Sequence, residues 1–419
     1  MPDGDERKKR LRWGLKSESR YVLEASLDLA KSINPVRDDG QKWDANPWLL
    51  GVANGIVDLR TGKLREAQPG DRVTLYSPVA FDDTAACPRF EQFMLEIFHG
   101  DINLVRFMQR AIGYSLIGVT DEQCLFVCYG TGANGKSTLL GVLHYILGDY
   151  AVNVPFSALE KQGRSNITND LAMLSGRRFA TALETGEDVR LNEARIKTVT
   201  GGDPITARYL YHEHFTFNPT HKLWLAVNHK PRILDESEGM WRRVRMIPFE
   251  THFSGTDRDD KLPEKLRAEA PGILAWAVRG AQEWQRDGLG EPTAVAAATA
   301  AYRQESDHLE DFQGEYCVID AKASVTTAAL WAEYQRWTSG AGIEPLSRTA
   351  FTERLRQRGF KEERFGHAGT RGWRGLRLAN ADAEAVATSY PVERVAVGGA
   401  DTQTQADTIS DNSCTTQVI

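Results

Sequence analysis

Residues 124–147 read CLFVCYGTGANGKSTLLGVLHYIL, and this stretch decides the fold. Cys124 to Tyr129 is short, apolar and non-alternating, the pattern of a strand covered on both faces in a parallel sheet. Gly130 to Ser137, GTGANGKS, fits G-x-x-x-x-G-K-[ST] in full. Glycines let successive backbone N–H groups turn toward one phosphate. The helix expected over STLLGVLHYIL adds the positive end of its dipole. Gly130, Thr131, Gly132, Ala133, Asn134, Gly135, Lys136, Ser137 and Thr138 are therefore the expected ATP-binding residues. Lys136 is expected on the β- and γ-phosphates, and the Ser137 hydroxyl on Mg²⁺.

A phosphate loop needs a carboxylate at the end of a neighbouring strand, to hold the Mg²⁺ shell and polarise water. Phe179 to Leu183, FATAL, is the first apolar strand downstream and ends at Glu184. Glu187 is close enough to assist or to lie in solvent. Two further buried-strand runs follow, KLWLAV (Lys222 to Val227) and VRMIPF (Val244 to Phe249), with helical patterns between. Alternation of strands and helices predicts an α/β core over residues 119–255 with a mostly parallel sheet.

On either side of that core the pattern changes. Residues 1–118 predict a helix near Ser17 to Ser32, short β runs around Asn54-Gly55 and Thr61-Gly62, and helices over Phe90 to Phe98 and Leu104 to Gly118. A helical connection occupies 256–305. Residues 306–380 read helix, helix, then a glycine-rich β-like end, and 345–378 hold nine arginines and lysines against three acids. The stretch 381–419 is too polar to bury a core and is expected to be disordered.

Composition sets outer bounds. With 41% hydrophobic and 26% charged residues among 419, the chain is that of an ordinary globular protein. No apolar run approaches the ~20 residues of a membrane span, and MPDGDERKKRLRW is not a secretory signal. Five scattered cysteines point to a reducing cytoplasm rather than a disulfide framework, with Cys124 and Cys128 read as core. The net charge of −6 does not exclude a nucleic-acid partner, because gripping a strand needs only a local basic lining.

Several blocks, in order, resemble the superfamily 3 helicases of the phage and plasmid primase-helicase type, a branch of the AAA+ ATPases. They are NGIVDLRTG, GTGANGKST, ALETGE, LNEARIKTVTGGDPITARYLY, KLWLAVNHKPRI and WRRVRMIPF. The resemblance implies a AAA+ core acting as an ATP-dependent, ring-forming DNA helicase, a hexamer, in replication of a phage, prophage or plasmid, with a bacterial host cytoplasm as its setting. It makes Asn228 the γ-phosphate sensor, Glu184 with Ser137 the Mg²⁺ residues, and Arg242 or Arg243 a finger acting on a neighbouring subunit. Lys136, Glu184, Asn228, Arg242 and Arg243 are thus the expected catalytic set. A hairpin after Asp203 is expected to carry single-stranded DNA in the channel, with Tyr211 stacking and Arg208, His212 and His214 on phosphates. His212 and His214 are read as alternating on a strand. Lys197 is a further candidate for DNA approach.

The C-terminal segment resembles a winged-helix module, with Arg348, Arg354, Arg356 and Arg358 on or near a DNA-facing surface. Because the chain begins almost at the helicase-associated region, primer synthesis is expected from a separate primase or polymerase. A AAA+ loader or switch that recruits replication proteins without unwinding is the alternative. No membrane partner is expected.

Overall fold

The apolar runs become strands because each can be covered on both faces, and the loop after each carries glycine or polar residues. The structure, a computed structural model, describes residues 4–34, 37–38, 40, 42–161, 169–184, 186, 189–235, 237–255, 258–341, 345–365 and 369–379. Glu187 and the stretch 381–419 therefore lie outside the described residues. The chain divides into two units, Met1–His308 and Leu309–Ile419.

The first unit opens with α1 (Gly4–Ser17) and α2 (Arg20–Ala30), neither of which buries a residue. A three-stranded antiparallel sheet follows, β1 (Leu49–Val52), β2 (Gly55–Asp58) and β3 (Lys63–Arg65). Next come α3 (Pro88–Ile97) and α4 (Ile102–Leu116), the latter capped by the Asp101 carboxylate on the Asn103 and Leu104 amides. The central elements are β4 (Leu125–Tyr129), α5 (Lys136–Leu147), β5 (Ala151–Asn153), α6 (Asn169–Ala172), β6 (Phe179–Leu183) and α7 (Glu193–Thr200). Then follow β7 (Ile205–Ala207), β8 (Phe215–Phe217), β9 (Lys222–Val227), α8 (Glu238–Trp241) and β10 (Val244–Pro248). Helices α9 (Leu262–Ala268), α10 (Ala270–Asp287) and α11 (Thr293–Glu305) complete the unit.

Five strands form one sheet in the order β10-β4-β9-β6-β5, every pairing parallel. Leu125 pairs with both Leu223 and Val244, and Tyr129 with both Val227 and Pro248, so three strands end level at their carboxyl edge. Strand β9 is buried along its whole length, as a central strand must be. The mixed α/β architecture with a parallel sheet is the one expected. Strand β5 and helix α1 were not.

The segments 1–118, 119–255 and 256–305 share this one unit, and α4 lies along α10. The two helices touch backbone to backbone. A Cβ on Gly113 would sit 2.1 Å from the Ala281 nitrogen, and one on Gly280 would sit 2.1 Å from the Gln109 carbonyl oxygen. The aromatic pair Tyr114 and Trp284 closes the crossing at 4.6 Å between ring centroids. Gly113→Ala is accordingly expected to force the helices apart and cost about 1–3 kcal/mol. The check is a lower urea midpoint with an unchanged slope.

Two buried cations fix the carboxyl end of α4. The Arg178 guanidinium donates to the Leu116 (2.6 Å) and Leu49 (2.8 Å) carbonyls and lies 4.6 Å over the Tyr150 ring. The Lys222 ammonium donates to the Ile117, Val119 and Thr220 carbonyls. Burial lowers both pKa values, so carbonyl dipoles do the work that carboxylates do elsewhere.

The second unit runs α12 (His308–Tyr316), β11 (Cys317–Thr326), α13 (Thr327–Gly340), α14 (Arg348–Gln357), β12 (Lys361–Phe365) and β13 (Thr370–Leu378). Its sheet is antiparallel with the order β11-β13-β12. Phe312, Leu330, Tyr334, Phe351, Leu355 and Trp373 are among its core residues. The hydroxyls of Thr326 and Ser347 cap α13 and α14 by accepting from Ala329 and Ala350.

Candidate functional site

The loop between β4 and α5 folds back on itself. Gly132, Ala133 and Gly135 have φ of 101°, 48° and 88°, the left-handed region that glycine tolerates best. A Cβ on Gly130 would meet the Phe249 carbonyl oxygen at 2.3 Å. Ala133 is the non-glycine of these three, and its carbonyl accepts from the Phe253 amide at 2.8 Å. Asn134 donates its side-chain amide to Phe249 O at 3.2 Å, so the chain after β10 holds the loop from behind.

Lys136 is buried at the start of α5, and its ammonium has three neutral acceptors: Gly130 O (2.5 Å), Asn134 Oδ1 (3.1 Å) and Asn228 Oδ1 (3.2 Å). Burial lowers its pKa, and the Glu184 charge opposes that shift. Asn228 follows β9 directly, and Glu184 follows β6, its neighbour in the sheet. Glu184 Oε2 accepts from the Asn228 amide at 2.6 Å and the His229 amide at 2.9 Å. Its Oε1 is buried with no partner among the described residues. Lys136, Asn228 and Glu184, drawn from three separated stretches, therefore converge at the carboxyl edge of the sheet. Ser137 is exposed and Thr138 half-buried on the first turn of α5.

A cavity of about 490 Å³ opens over the loop. Beyond Gly132 to Thr138 and Asn228, it is lined by Arg89, Phe93 and Glu96 of α3, by Phe253, Leu262 and Pro263, and by Arg258, Asp259 and Asp260, whose acids are paired with Lys265 and Arg258. Arg89 pairs with Glu96 at 3.0 Å, while its Nη1 is buried and unpartnered among the described residues. These residues were missed from sequence, because they lie far from the loop in the chain and carry no motif of their own. An orphaned carboxylate oxygen and a neutral-acceptor lysine beside a backbone cradle fit a Mg²⁺-bound triphosphate chemically.

The arginines lie elsewhere. Arg242 and Arg243 precede β10, whose first residue pairs with Leu125 at the amino end of β4. The length of β4 separates them from the loop, about 13 Å or more at ~3.3 Å per residue. Arg242 is exposed and donates to Gln123 Oε1 at 2.9 Å. Arg243 is buried and donates to the Gly239 carbonyl and, at 3.3 Å, to the same Gln123. Arg245 bonds the Arg242 carbonyl at 2.8 Å. Neither Arg242 nor Arg243 joins the site of its own chain.

The hairpin is present but shorter than expected. Strands β7 and β8 pair over three residues each, from Ile205↔Phe217 to Ala207↔Phe215. Arg208, Tyr211, His212 and His214 all fall in the connecting turn, so the two histidines do not alternate on a strand as expected. Tyr209 ends the pairing by stacking on Phe215 (5.3 Å) and donating its hydroxyl to Ala172 O. Tyr211 is 96% exposed with φ 63°, an uncommon backbone for a bulky residue. No metal-holding cluster of histidines, cysteines or acids occurs among the described residues. Lys197 pairs with Asp235 at 2.5 Å, which accounts for its charge locally. No helix of the described residues is long and apolar enough to cross a membrane.

Three segments match known family models: residues 3–99 match "D5 N terminal like", 128–243 match a family of unknown function (DUF5906), and 304–375 match "Poxvirus D5 protein-like". A provisionally named helicase, L207/L206 of Acanthamoeba polyphaga mimivirus, is 28% identical over 75% of this chain and 35% of its own length. A similarly named helicase, 022R of Frog virus 3, is 26% identical over 72% of this chain and 39% of its own. The provisionally named primase C962R of African swine fever virus is 24% identical over 51% of the chain and 23% of its own. The chain thus spans less than two-fifths of the length of these relatives. Among solved structures, the apo NrS-1 C terminal region aligns with a TM-score of 0.48 at 10% identity, over 70% of this chain and 76% of that one. The family models and the viral relatives support a relationship to D5-like helicase-primase proteins. The relatives named come from large DNA viruses, not from the phages and plasmids expected.

Proposed function

We propose that this D5-like chain is an ATP-driven DNA helicase of the superfamily 3 type, built on a AAA+ core and working as a ring in DNA replication. The observation that carries the proposal is the convergence of Lys136, Asn228 and Glu184 at one edge of a parallel sheet. The strand order supports it: numbered along the chain, the sheet runs 5-1-4-3-2, with the loop leaving the first strand between the fifth and the fourth. Lys136 is satisfied by neutral acceptors, so an arriving phosphate offers it the first charged hydrogen-bond acceptor. Asn228 then loses the lysine and is free to orient a water. Glu184 keeps one oxygen on two backbone amides, which fixes its direction, and leaves the other for the water. Mg²⁺, held through Ser137 and Glu184, would neutralise developing phosphate charge.

An arginine at the far end of β10 cannot reach its own nucleotide and suits a neighbour's. That separation favours a ring over a monomeric ATPase. Tyr211 at the hairpin tip offers an exposed ring for base stacking, with Arg208, His212 and His214 beside it. In the second unit, the order helix, strand, helix, helix, strand, strand is that of a winged helix.

The test is ATP-dependent strand separation on a forked DNA. The Tyr211→Ala, His212→Ala double variant is expected to keep DNA-independent ATP turnover and lose unwinding, by roughly ten-fold or more for one lost stack. A parent protein that hydrolyses ATP and never separates strands would instead support the loader or switch.

A further inference from the structure

The second unit carries a groove of about 920 Å³ between the start of α14 and the β12–β13 hairpin. Three of its arginines have no carboxylate partner among the described residues: Arg348 on α14, Arg364 on β12 and Arg371 on β13. Arg364 and Arg371 are direct cross-strand partners, both exposed. Like charges placed opposite each other on a sheet destabilise it unless something anionic lies between. The acids of the groove do not fill that role. Glu362 is held by Arg356 at 2.7 Å and Glu363 by Arg374 at 2.8 Å. Thr327, at the first turn of α13, also lines the groove, with a buried hydroxyl oxygen that has no partner among the described residues.

We infer that this groove grips the sugar-phosphate backbone of duplex DNA without reading its sequence. The inference rests on the reading of the second unit as a DNA-binding module and supplies its contact residues and mode. Two features separate backbone grip from the other ways of holding DNA. Among the described residues no aromatic side chain lines the groove, so they offer no platform for stacking an unpaired base. Among them no asparagine or glutamine lines it either, and the first turns of α13 and α14, through Thr327, Ala328, Arg348 and Thr349, form part of its wall, a setting that suits phosphates. The arginines expected on α14 to approach DNA are otherwise engaged. Arg354 is buried, Arg356 is paired with Glu353 and Glu362, and Arg358 donates to Gln313. Of the four, Arg348 alone lines the groove as an arginine without an acidic partner among the described residues, and the hairpin supplies the other two.

The experiment is fluorescence anisotropy of the full chain on a blunt mixed-sequence duplex without nucleotide, over about 50 to 200 mM salt. Each arginine–phosphate contact contributes about 0.9 to the slope of log K against log salt. Arg364→Ala with Arg371→Ala is expected to lower the slope by about 2, weaken binding on the order of ten-fold, and leave the thermal midpoint unchanged or higher. Arg374→Ala, the loss of one charge of the same sign from an arginine engaged with Glu363, should leave the slope near the parent's. An unchanged slope in the double variant, with the parent still binding duplex, overturns the groove assignment while the module reading stands. A parent that does not bind duplex overturns both. A loss from Arg374→Ala of half that of the double variant would reduce the effect to net charge and also overturn the assignment, as would strong preference for one duplex sequence.

Discussion

Lys136→Ala is expected to lower ATP turnover by about 10²–10³-fold, the usual cost of removing one donor aimed at developing charge. The structure gives reason to expect this loss without unfolding. Among the described residues the ammonium donates to the Gly130 carbonyl and the Asn134 and Asn228 side chains, none of them charged. Its pKa is lowered by burial, which means the charge is costly to keep there until an anion arrives. Truncation removes that cost together with three neutral hydrogen bonds, so the two effects on stability oppose each other. Turnover and thermal midpoint measured on the same preparation separate the cases. Near-parental turnover would remove the loop from the chemistry, and a large drop in midpoint would make the lysine a structural residue instead.

What could be read from the sequence follows from how local each signal is. The strand–loop–helix at 124–147 is contiguous, and its glycines report backbone geometry directly: Gly132 and Gly135 do adopt positive φ. Glu184 and Asn228 were legible because each ends an apolar run, and parallel strands in register bring such ends together. Arg89 was not, since α3 reaches the cavity only through tertiary packing, and an Arg–Glu pair on a helix is indistinguishable from a solvated face. Strand β11 was missed because CVIDAKASVT is largely exposed, with no apolar alternation to mark it. The hairpin tip was read as strand because FTF and TARYLYH alternate well. The stack of Tyr209 on Phe215 stops the pairing earlier than alternation suggests. The arginines of α14 illustrate the same limit: sequence counts charge, and only packing shows which charges already have partners.

Arg242→Ala is expected to reduce ATP turnover by on the order of 10³-fold or more, the range of an arginine finger supplied by a neighbour. Sequence left Arg242 and Arg243 equivalent, and their surroundings now distinguish them. Arg243 is buried, donates to Gly239 and Gln123, and has its pKa lowered chiefly by that burial. Its replacement should lower the thermal midpoint, because the Gly239 carbonyl and Gln123 lose a partner. Arg242 is exposed with a single bond to Gln123, so its replacement should leave the midpoint alone. A guanidinium that acts in trans must also be supplied by a different chain from the one carrying the lysine. Arg242→Ala subunits mixed with Lys136→Ala subunits should therefore regain activity that neither has alone. In an equal, random mixture about a quarter of the head-to-tail interfaces pair an intact Lys136 with an intact Arg242. Recovery approaching that fraction requires a shared site between subunits. Absence of recovery, with both variants folded and assembled, would leave Arg242 without a role at the nucleotide, since β4 keeps it from its own.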